Sequence, residues 1–282
     1  MNRIFSWPGT KYRQLKILDD FSKTEVQKAK ILIEPFWGIG AFTQSALLKY
    51  ENIQKVIASE SNSNLFQWWQ HILFDTKNII EEMQKKRTEF KDAIFDRDVF
   101  NKLRDGYNQM FDADNPSIES SAQLWVLVYQ STNNLARFNK SGGYNQTWGK
   151  GRKVPDPSII FDDETLMIIS SLREKISLSK DFRDCFEDTN DAFVYLDPPY
   201  LIRTETYSKN CWGIKEEEIM FDIISNINAK WMMTNYLKKG DDIHPYYDEI
   251  YKKWNVTKID RKLDARPTGT ATETEEVIIS NF

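Results

Sequence analysis

The chemistry of this chain is concentrated in Asp197-Pro198-Pro199-Tyr200, which follow the apolar run Ala192-Phe193-Val194-Tyr195-Leu196 without a break. Five apolar residues, bounded by Thr189-Asn190-Asp191 and by two prolines, are too few for a helix and predict a buried strand. The prolines donate no backbone N–H and bias their neighbours to extended geometry. The chain therefore leaves the strand as a stiff arm carrying a carboxylate, outward carbonyls and a flat ring. Such a set can accept two hydrogens from one planar group and stack upon it, which suits a nucleobase with an exocyclic amine. An ordinary strand-to-loop exit presents the same four residues, so the surrounding sequence has to decide.

A second element fits a nucleoside ligand. Ile31-Leu32-Ile33-Glu34-Pro35-Phe36 reads as a buried strand, followed by Trp37-Gly38-Ile39-Gly40-Ala41-Phe42-Thr43 and a helix to about Tyr50. Val56-Ile57-Ala58-Ser59 is a further strand and ends in Glu60. Strand, glycine turn, helix, strand, acid is the first half of a doubly wound sheet. Small residues at the turn admit a ligand to the backbone, and an acid about 20 residues on can accept from ribose hydroxyls. Gly38-x-Gly40 by itself selects no particular nucleoside, and the missing third glycine argues against a pyrophosphate.

Composition narrows the classes. A chain of 282 residues, 40% hydrophobic and 13% aromatic, can bury a sizeable core as one domain or as one domain with an insertion. Cys185 and Cys211 make no metal-ligand pattern or disulfide framework, and His71 and His244 are too scattered for a zinc or iron site, so no metal is expected. No stretch approaches the ~18 apolar residues of a membrane span, and residues 1–15 hold no apolar signal core. A cytoplasmic protein without a membrane partner is the expectation. The net charge of −4 argues against a globally basic binder. Yet Ser120 to Pro155 contains no Asp or Glu, while Arg137, Lys140, Lys150, Arg152 and Lys153 fall there with Phe138, Tyr144, Trp148 and several amides. Cations contact phosphates, amides read base edges and aromatics stack, so this stretch is the candidate nucleic-acid surface. A solvated basic loop is the competing reading.

Along the chain, residues 64–112 show helical spacing in Phe90, Ile94, Val99, Leu103 and Tyr107, and Ser121 to Leu135 predicts another helix. Ser141-Gly142-Gly143-Tyr144 reads as a hairpin turn. A helix over Asp163–Ile176 precedes the return of the αβ pattern. That pattern comprises the strand before Asp197, a helix over Glu216–Asn228, a strand at Trp231-Met232-Met233-Thr234, and strands near Val256 and Glu276–Ile279. The expected organisation is α/β: residues 1–64 and 162–282 form the sheet domain, and 65–161 a mostly helical insertion carrying a β-hairpin.

In order, these segments resemble the Dam-type adenine-specific (N6) DNA methyltransferases, including phage and bacterial members. Trp7-Pro8-Gly9-Thr10-Lys11-Tyr12 is similar to the family's N-terminal aromatic-x-Gly-x-Lys segment. Glu34-Pro35-Phe36-Trp37-Gly38-Ile39-Gly40 resembles its cofactor loop, and Glu60 stands at its ribose-binding acid. Phe100-x-Lys102-Leu103-Arg104-x-x-Tyr107-Asn108 resembles the phage branch. Asn133-Asn134-Leu135-Ala136-Arg137-Phe138-Asn139 through Lys150 resembles the recognition hairpin, and Phe182-x-Asp184 and Asp197–Tyr200 complete the series.

The resemblance implies a Rossmann-like fold, S-adenosylmethionine as donor, no metal, and adenine N6 in duplex DNA as acceptor, within a short site of the GATC kind. It implies that Asp197, Pro198, Pro199 and Tyr200 are catalytic. Trp7, Lys11, Glu34, Phe36, Gly38, Gly40, Glu60, Asp184 and Asp197 would bind the cofactor. Asn133, Asn134, Arg137, Asn139, Lys140, Tyr144, Lys150 and Arg152 would bind DNA, with Arg137 reading a guanine. For Asn133 and Asn134 helix C-capping is the equal alternative, and Trp148 reads better as a core residue than as a base contact. Glu60 replaces the usual Asp, Thr10 a small residue, and Gln146-Thr147 stands where bacterial members carry a proline. A monomer, pairing at most transiently on DNA, is expected. The alternatives are a catalytically silent DNA-binding protein on the same fold, or the same fold acting on an RNA adenine, a cytosine N4 or a glutamine side chain.

Overall fold

The computed structural model describes residues 2–139, 142–203, 212–259 and 274–282. Helix α1 (Leu15–Val26) leads into β1 (Ile31–Glu34), α2 (Ala41–Lys49) and β2 (Lys55–Ser59). Helices α3 (Ser63–Phe74), α4 (Thr76–Glu89), α5 (Arg97–Met110) and α6 (Ile118–Gln130) follow, then α7 (Pro157–Ile160) and α8 (Asp163–Lys175). The chain closes with β3 (Ile176–Ser179), β4 (Ala192–Leu196), α9 (Ile214–Asn226), β5 (Lys230–Lys239), β6 (Asp242–Ile243), α10 (Tyr247–Lys253), β7 (Asn255–Lys258) and β8 (Thr274–Ser280).

The sheet runs β3-β2-β1-β4-β5-β8-β7, with β6 paired to β5. The first five strands are parallel, whereas β8 is antiparallel to both β5 and β7. Every residue of β4 is buried, as a central strand covered on both faces requires, and this is why its sequence is continuously apolar. Strand order reverses between β1 and β4. In an open parallel sheet the crevice outside the carboxyl ends of two such strands is where ligands bind. Glu34 ends β1 and Asp197 follows β4, so both expected acids lie at that point.

Two elements differ from the sequence reading. Strand β5 continues to Lys239 although its second half is polar, because β8 supplies an antiparallel partner as far as Lys239↔Thr274. Among the described residues between 131 and 148, antiparallel pairing is limited to the isolated bridges Ser131↔Trp148 and Phe138↔Tyr144. The core is continuous from sheet to helices: Trp68 and Trp69 of α3 and Trp125 of α6 belong to one buried cluster with Leu32, Val56 and Phe193.

The turn after β1 is set by its glycines. Gly38 and Gly40 have φ of 50° and 60°, a left-handed conformation that other residues adopt at a cost. A Cβ on Gly40 would lie 2.6 Å from the Trp37 ring, whereas one on Gly38 would meet nothing within 4 Å. Gly40→Ala is therefore expected to lower the unfolding free energy by about 1–3 kcal/mol and Gly38→Ala by the smaller, purely backbone part. Urea denaturation of the two variants checks this; equal losses would show that the Trp37 contact is unimportant.

Candidate active site

Asp197 is the hub. Its Oδ2 accepts from Lys11 Nζ at 2.5 Å, and its Oδ1 accepts from the Tyr200 hydroxyl at 2.9 Å and from Thr234 Oγ1 at 2.8 Å. Lys11 also donates to the Gly9 carbonyl at 3.2 Å and lies 5.2 Å from the Tyr200 ring centroid. The Lys11 and Asp197 side chains keep 11% and 16% exposure, so the pair is shielded but reachable. Pro198 is buried and Pro199 exposed. Tyr200 is folded inward with its ring edge-on to Tyr236 at 4.8 Å, and burial raises its hydroxyl pKa well above the ordinary range.

The loop beyond β1 is held by the two other acids. Glu34 accepts from the Thr43 amide at 3.2 Å and the Thr43 hydroxyl at 2.5 Å, so its carboxyl oxygen serves free donors in the first turn of α2. Glu60 accepts from the amides of Gly38 at 3.1 Å and Asn62 at 2.7 Å, which ties the loop after β1 to the loop after β2. Trp69 Nε1 of α3 donates to the Gly38 carbonyl at 2.8 Å, and Gly40 donates its amide to the Trp37 carbonyl. Phe36 stacks on Phe182 at 5.5 Å, and Trp212 closes edge-on over Phe36 at 5.0 Å. Asp184 is exposed on the turn that presents Phe182. Trp7 is partly buried, 6.1 Å from Phe138 and 5.6 Å from Phe5.

The basic segment divides. Lys150 and Arg152 are exposed and make no ion pair among the described residues. Arg137 turns back on the segment, donating through Nε to Asn145 Oδ1 at 3.0 Å and through Nη2 to the Asn145 carbonyl at 2.8 Å. Asn139 closes the turn: its Oδ1 accepts from the Gly143 amide, and its own amide donates to the Gly143 carbonyl. Asn133 and Asn134 have φ of 62° and 49°; α6 is capped by Ser131, so these asparagines serve a left-handed turn after the helix. Lys140 lies outside the described residues.

Tyr144 departs from the DNA-facing expectation. It is 1% exposed, its hydroxyl bonds Ser131 Oγ at 2.6 Å, and its ring packs edge-on to Phe138 and Tyr107. An aromatic among amides and cations looks like a stacking group in sequence, but here it is the segment's own core. Trp148 is likewise anchored inward, donating to the Ala93 carbonyl at 2.7 Å.

Two features escaped the sequence. Thr234 sits inside an apolar run and reads as a strand former, with no signal of its contact to Asp197. A groove of about 320 Å³ runs between α5 and the basic segment, lined by Arg97, Asn101, Arg104, Asn145, Gln146, Thr147 and Trp148; the cations on α5 are masked there by neighbouring Asp98 and Asp105. Among the described residues no cluster of three His, Cys, Asp or Glu could hold a metal ion, and no helix is long and apolar enough to cross a membrane.

Burial pushes the Glu34 carboxyl up to about 8 and that of Glu60 up to about 7, from an ordinary 4.5. Both raised values have the same sign: the native state holds protons that the unfolded chain has released. Stability is fully present below about pH 4.5 and declines as pH rises towards about 8. Chemical denaturation at steps across that range should show the decline, and Glu34→Gln should flatten its upper part. A wild-type curve that is level or rising there would contradict the assignment.

The family described as D12 class N6 adenine-specific DNA methyltransferase matches residues 7–264. The chain is 27% identical to the Type II methyltransferase M.MjaIII of Methanocaldococcus jannaschii, over 99% of this chain and 98% of that protein. It is 24% identical to a DNA adenine methylase of Haemophilus influenzae, over 94% and 88% of the two chains. Against the Type II methyltransferase M1.LlaDCHI of Lactococcus lactis subsp. cremoris it is 24% identical over 100% and 97%.

Proposed function

Since the chain belongs to the D12 class N6 adenine-specific DNA methyltransferase family, we propose that it transfers a methyl group from S-adenosylmethionine to the N6 amine of an adenine flipped out of a short duplex site. The observation that carries this reading is Asp197, an acceptor carboxylate at the switch point, beside a tyrosine ring and a lysine that reaches it at 2.5 Å.

The residues present fit the donor. Lys11 is the cation for its carboxylate, with Asp197 near the amine. Glu60 is the acceptor for its ribose hydroxyls, and Phe36 and Phe182 form a flat wall beside the exposed Asp184 for its adenine. Thr10 Oγ1, next to Lys11, is buried and has no hydrogen-bond partner among the described residues, as expected of an atom that a ligand completes. The donor brings an electrophilic sulfonium methyl; the chain supplies the alignment. Asp197 and the Pro198 carbonyl accept the two amine hydrogens and so orient the nitrogen lone pair. Unstacking the base costs a few kcal/mol, which the Tyr200 ring partly offsets by stacking. A strong base is unnecessary, because the amine becomes acidic only as the new bond forms. Catalysis then rests on orientation and preorganised charge.

Residues 65–161 would be the target-recognition part. Lys150 and Arg152 suit phosphates, and Arg97 and Arg104 add cations along the groove beside them. Arg137 would exchange Asn145 for a guanine edge, a bidentate contact worth ~1–3 kcal/mol of discrimination. The target remains of the GATC kind, with Gln146-Thr147 able to alter the outer bases. The monomeric, cytoplasmic enzyme acting on duplex DNA completes the reading.

Incubating purified protein, S-adenosylmethionine and plasmid DNA, followed by sequencing that maps modified adenines, tests it. Methyl groups at one short motif are expected; DNA binding without modification would favour the silent relative, and modified cytosine would change the acceptor. Asp197→Ala should abolish transfer while DNA is still bound, and full activity in that variant would refute the assigned role. Arg137→Ala should relax the motif at one guanine position; an unchanged motif would remove Arg137 from base reading.

A further inference from the structure

Leu196 pairs with Met233 at the end of the β4–β5 ladder, so the next residues on the two parallel strands, Asp197 and Thr234, stand side by side. Thr234 is fully buried, and its Oγ1 lies 2.8 Å from Asp197 Oδ1. The Leu196 carbonyl is a poorer acceptor at 3.5 Å, so the single hydroxyl proton belongs to Asp197. The Tyr195 hydroxyl, 3.3 Å away, can donate into the Thr234 oxygen and reinforce that direction.

Among the described residues three donors hold Asp197, and they differ in what can release them. Lys11 comes from the N-terminal segment and Tyr200 from the arm after β4. On the reading proposed above, on which this inference rests, the first turns to the donor's carboxylate and the second to the flipped ring. Thr234 has no second task. It is fixed by the pairing of β5 with β4 on one side and with Ile278 of β8 on the other, and its branched side chain has little rotameric freedom. We propose that Thr234 is a positioning residue: it alone keeps hold of Asp197 through the reaction. In doing so it fixes the rotamer in which Oδ2, and the Oδ1 lone pair vacated by Tyr200, face the incoming amine.

The test compares Thr234→Val, which keeps the shape and loses the hydroxyl, with Thr234→Ser, which keeps the hydroxyl and loses the methyl. Single-turnover transfer to a one-site duplex is measured alongside equilibrium binding of cofactor and of DNA. Thr234→Val should slow transfer by about tenfold to a hundredfold, the effect of one hydrogen bond to a charged group. Both dissociation constants should stay within about twofold, because the bond orients the acceptor rather than adding uniform binding affinity. Thr234→Ser should recover most of the rate. Wild-type transfer in Thr234→Val would overturn the proposal. So would a loss in Thr234→Ser as large as in Thr234→Val, which would point to methyl packing, or a loss explained by weakened cofactor binding. If the wild-type chain itself transfers no methyl group to DNA, the reading in the preceding subsection fails first and takes this role with it.

Discussion

The ion pair between Lys11 and Asp197 organises the molecule. A carboxylate at the end of a central strand, with 16% of its side chain exposed, has lost much of its water and requires a partner. That partner comes from a segment 186 residues earlier, so the N-terminus must cross the carboxyl edge of the sheet. The route is fixed by burial of Ile4 and Phe5 and by two hydrogen bonds to the helical part of the chain. Trp125 donates to the Ile4 carbonyl at 3.2 Å, and Ser6 donates to the Asn134 carbonyl at 3.0 Å. One short segment thereby joins the acceptor at Asp197 to the start of the basic segment. Displacement of one would be felt by the other through covalent chain rather than through a long path of side chains.

The glycine loop is organised by a different force. Glu34 and Glu60 are 3% and 9% exposed, and each serves backbone amides instead of a cation. Their raised pKa values mean that ionisation near neutral pH works against the fold. What these carboxyl groups provide is loop geometry: Glu34 fixes the entry to α2, and Glu60 locks Gly38 from one side while Trp69 holds it from the other. Because Trp69 belongs to α3, the helical region supports the glycine loop as well as the basic segment. On the proposed function, a ribose arriving at Glu60 would draw on an acceptor already aligned, at the expense of one of these amide contacts.

Much of this was legible in the chain. Strands β1, β2 and β4 announce themselves as short apolar runs because parallel strands buried on both faces can be nothing else, and the acids that end β1 and follow β4 fall at the switch point that topology creates. The polar half of β5 was hidden, since its strand character comes from β8, a partner about forty residues away. Helix α1 was hidden too: only Leu18, Ser22 and Val26 are buried, one narrow stripe among charges. Tyr144 misled because composition does not report direction; the bonds of its hydroxyl to Ser131 and the Leu135 carbonyl turn it inward. Thr234 could not be singled out, since its meaning depends on strand register, which no local pattern encodes.

The state of Asp197 bears on selectivity. Among the described residues Oδ1 accepts two hydrogen bonds and Oδ2 one, so the carboxylate offers an arriving group exchange rather than vacancy. Only a donor can complete such an exchange without a net loss of hydrogen bonds. The keto oxygens of guanine O6 and thymine O4 would meet carboxylate lone pairs, leaving charged acceptors unpaired in a shielded site, a penalty well above the value of one methylene contact. On the proposed reading, one amine hydrogen takes a place on Asp197 that Tyr200 or Lys11 releases, the other meets the Pro198 carbonyl, and Thr234 stays in place. On the proposed function, this geometry would favour exocyclic amines as a class. Cytosine satisfies the same rule at N4, so the restriction to adenine has to come from the width of the pocket around the ring and from the bases read beside it.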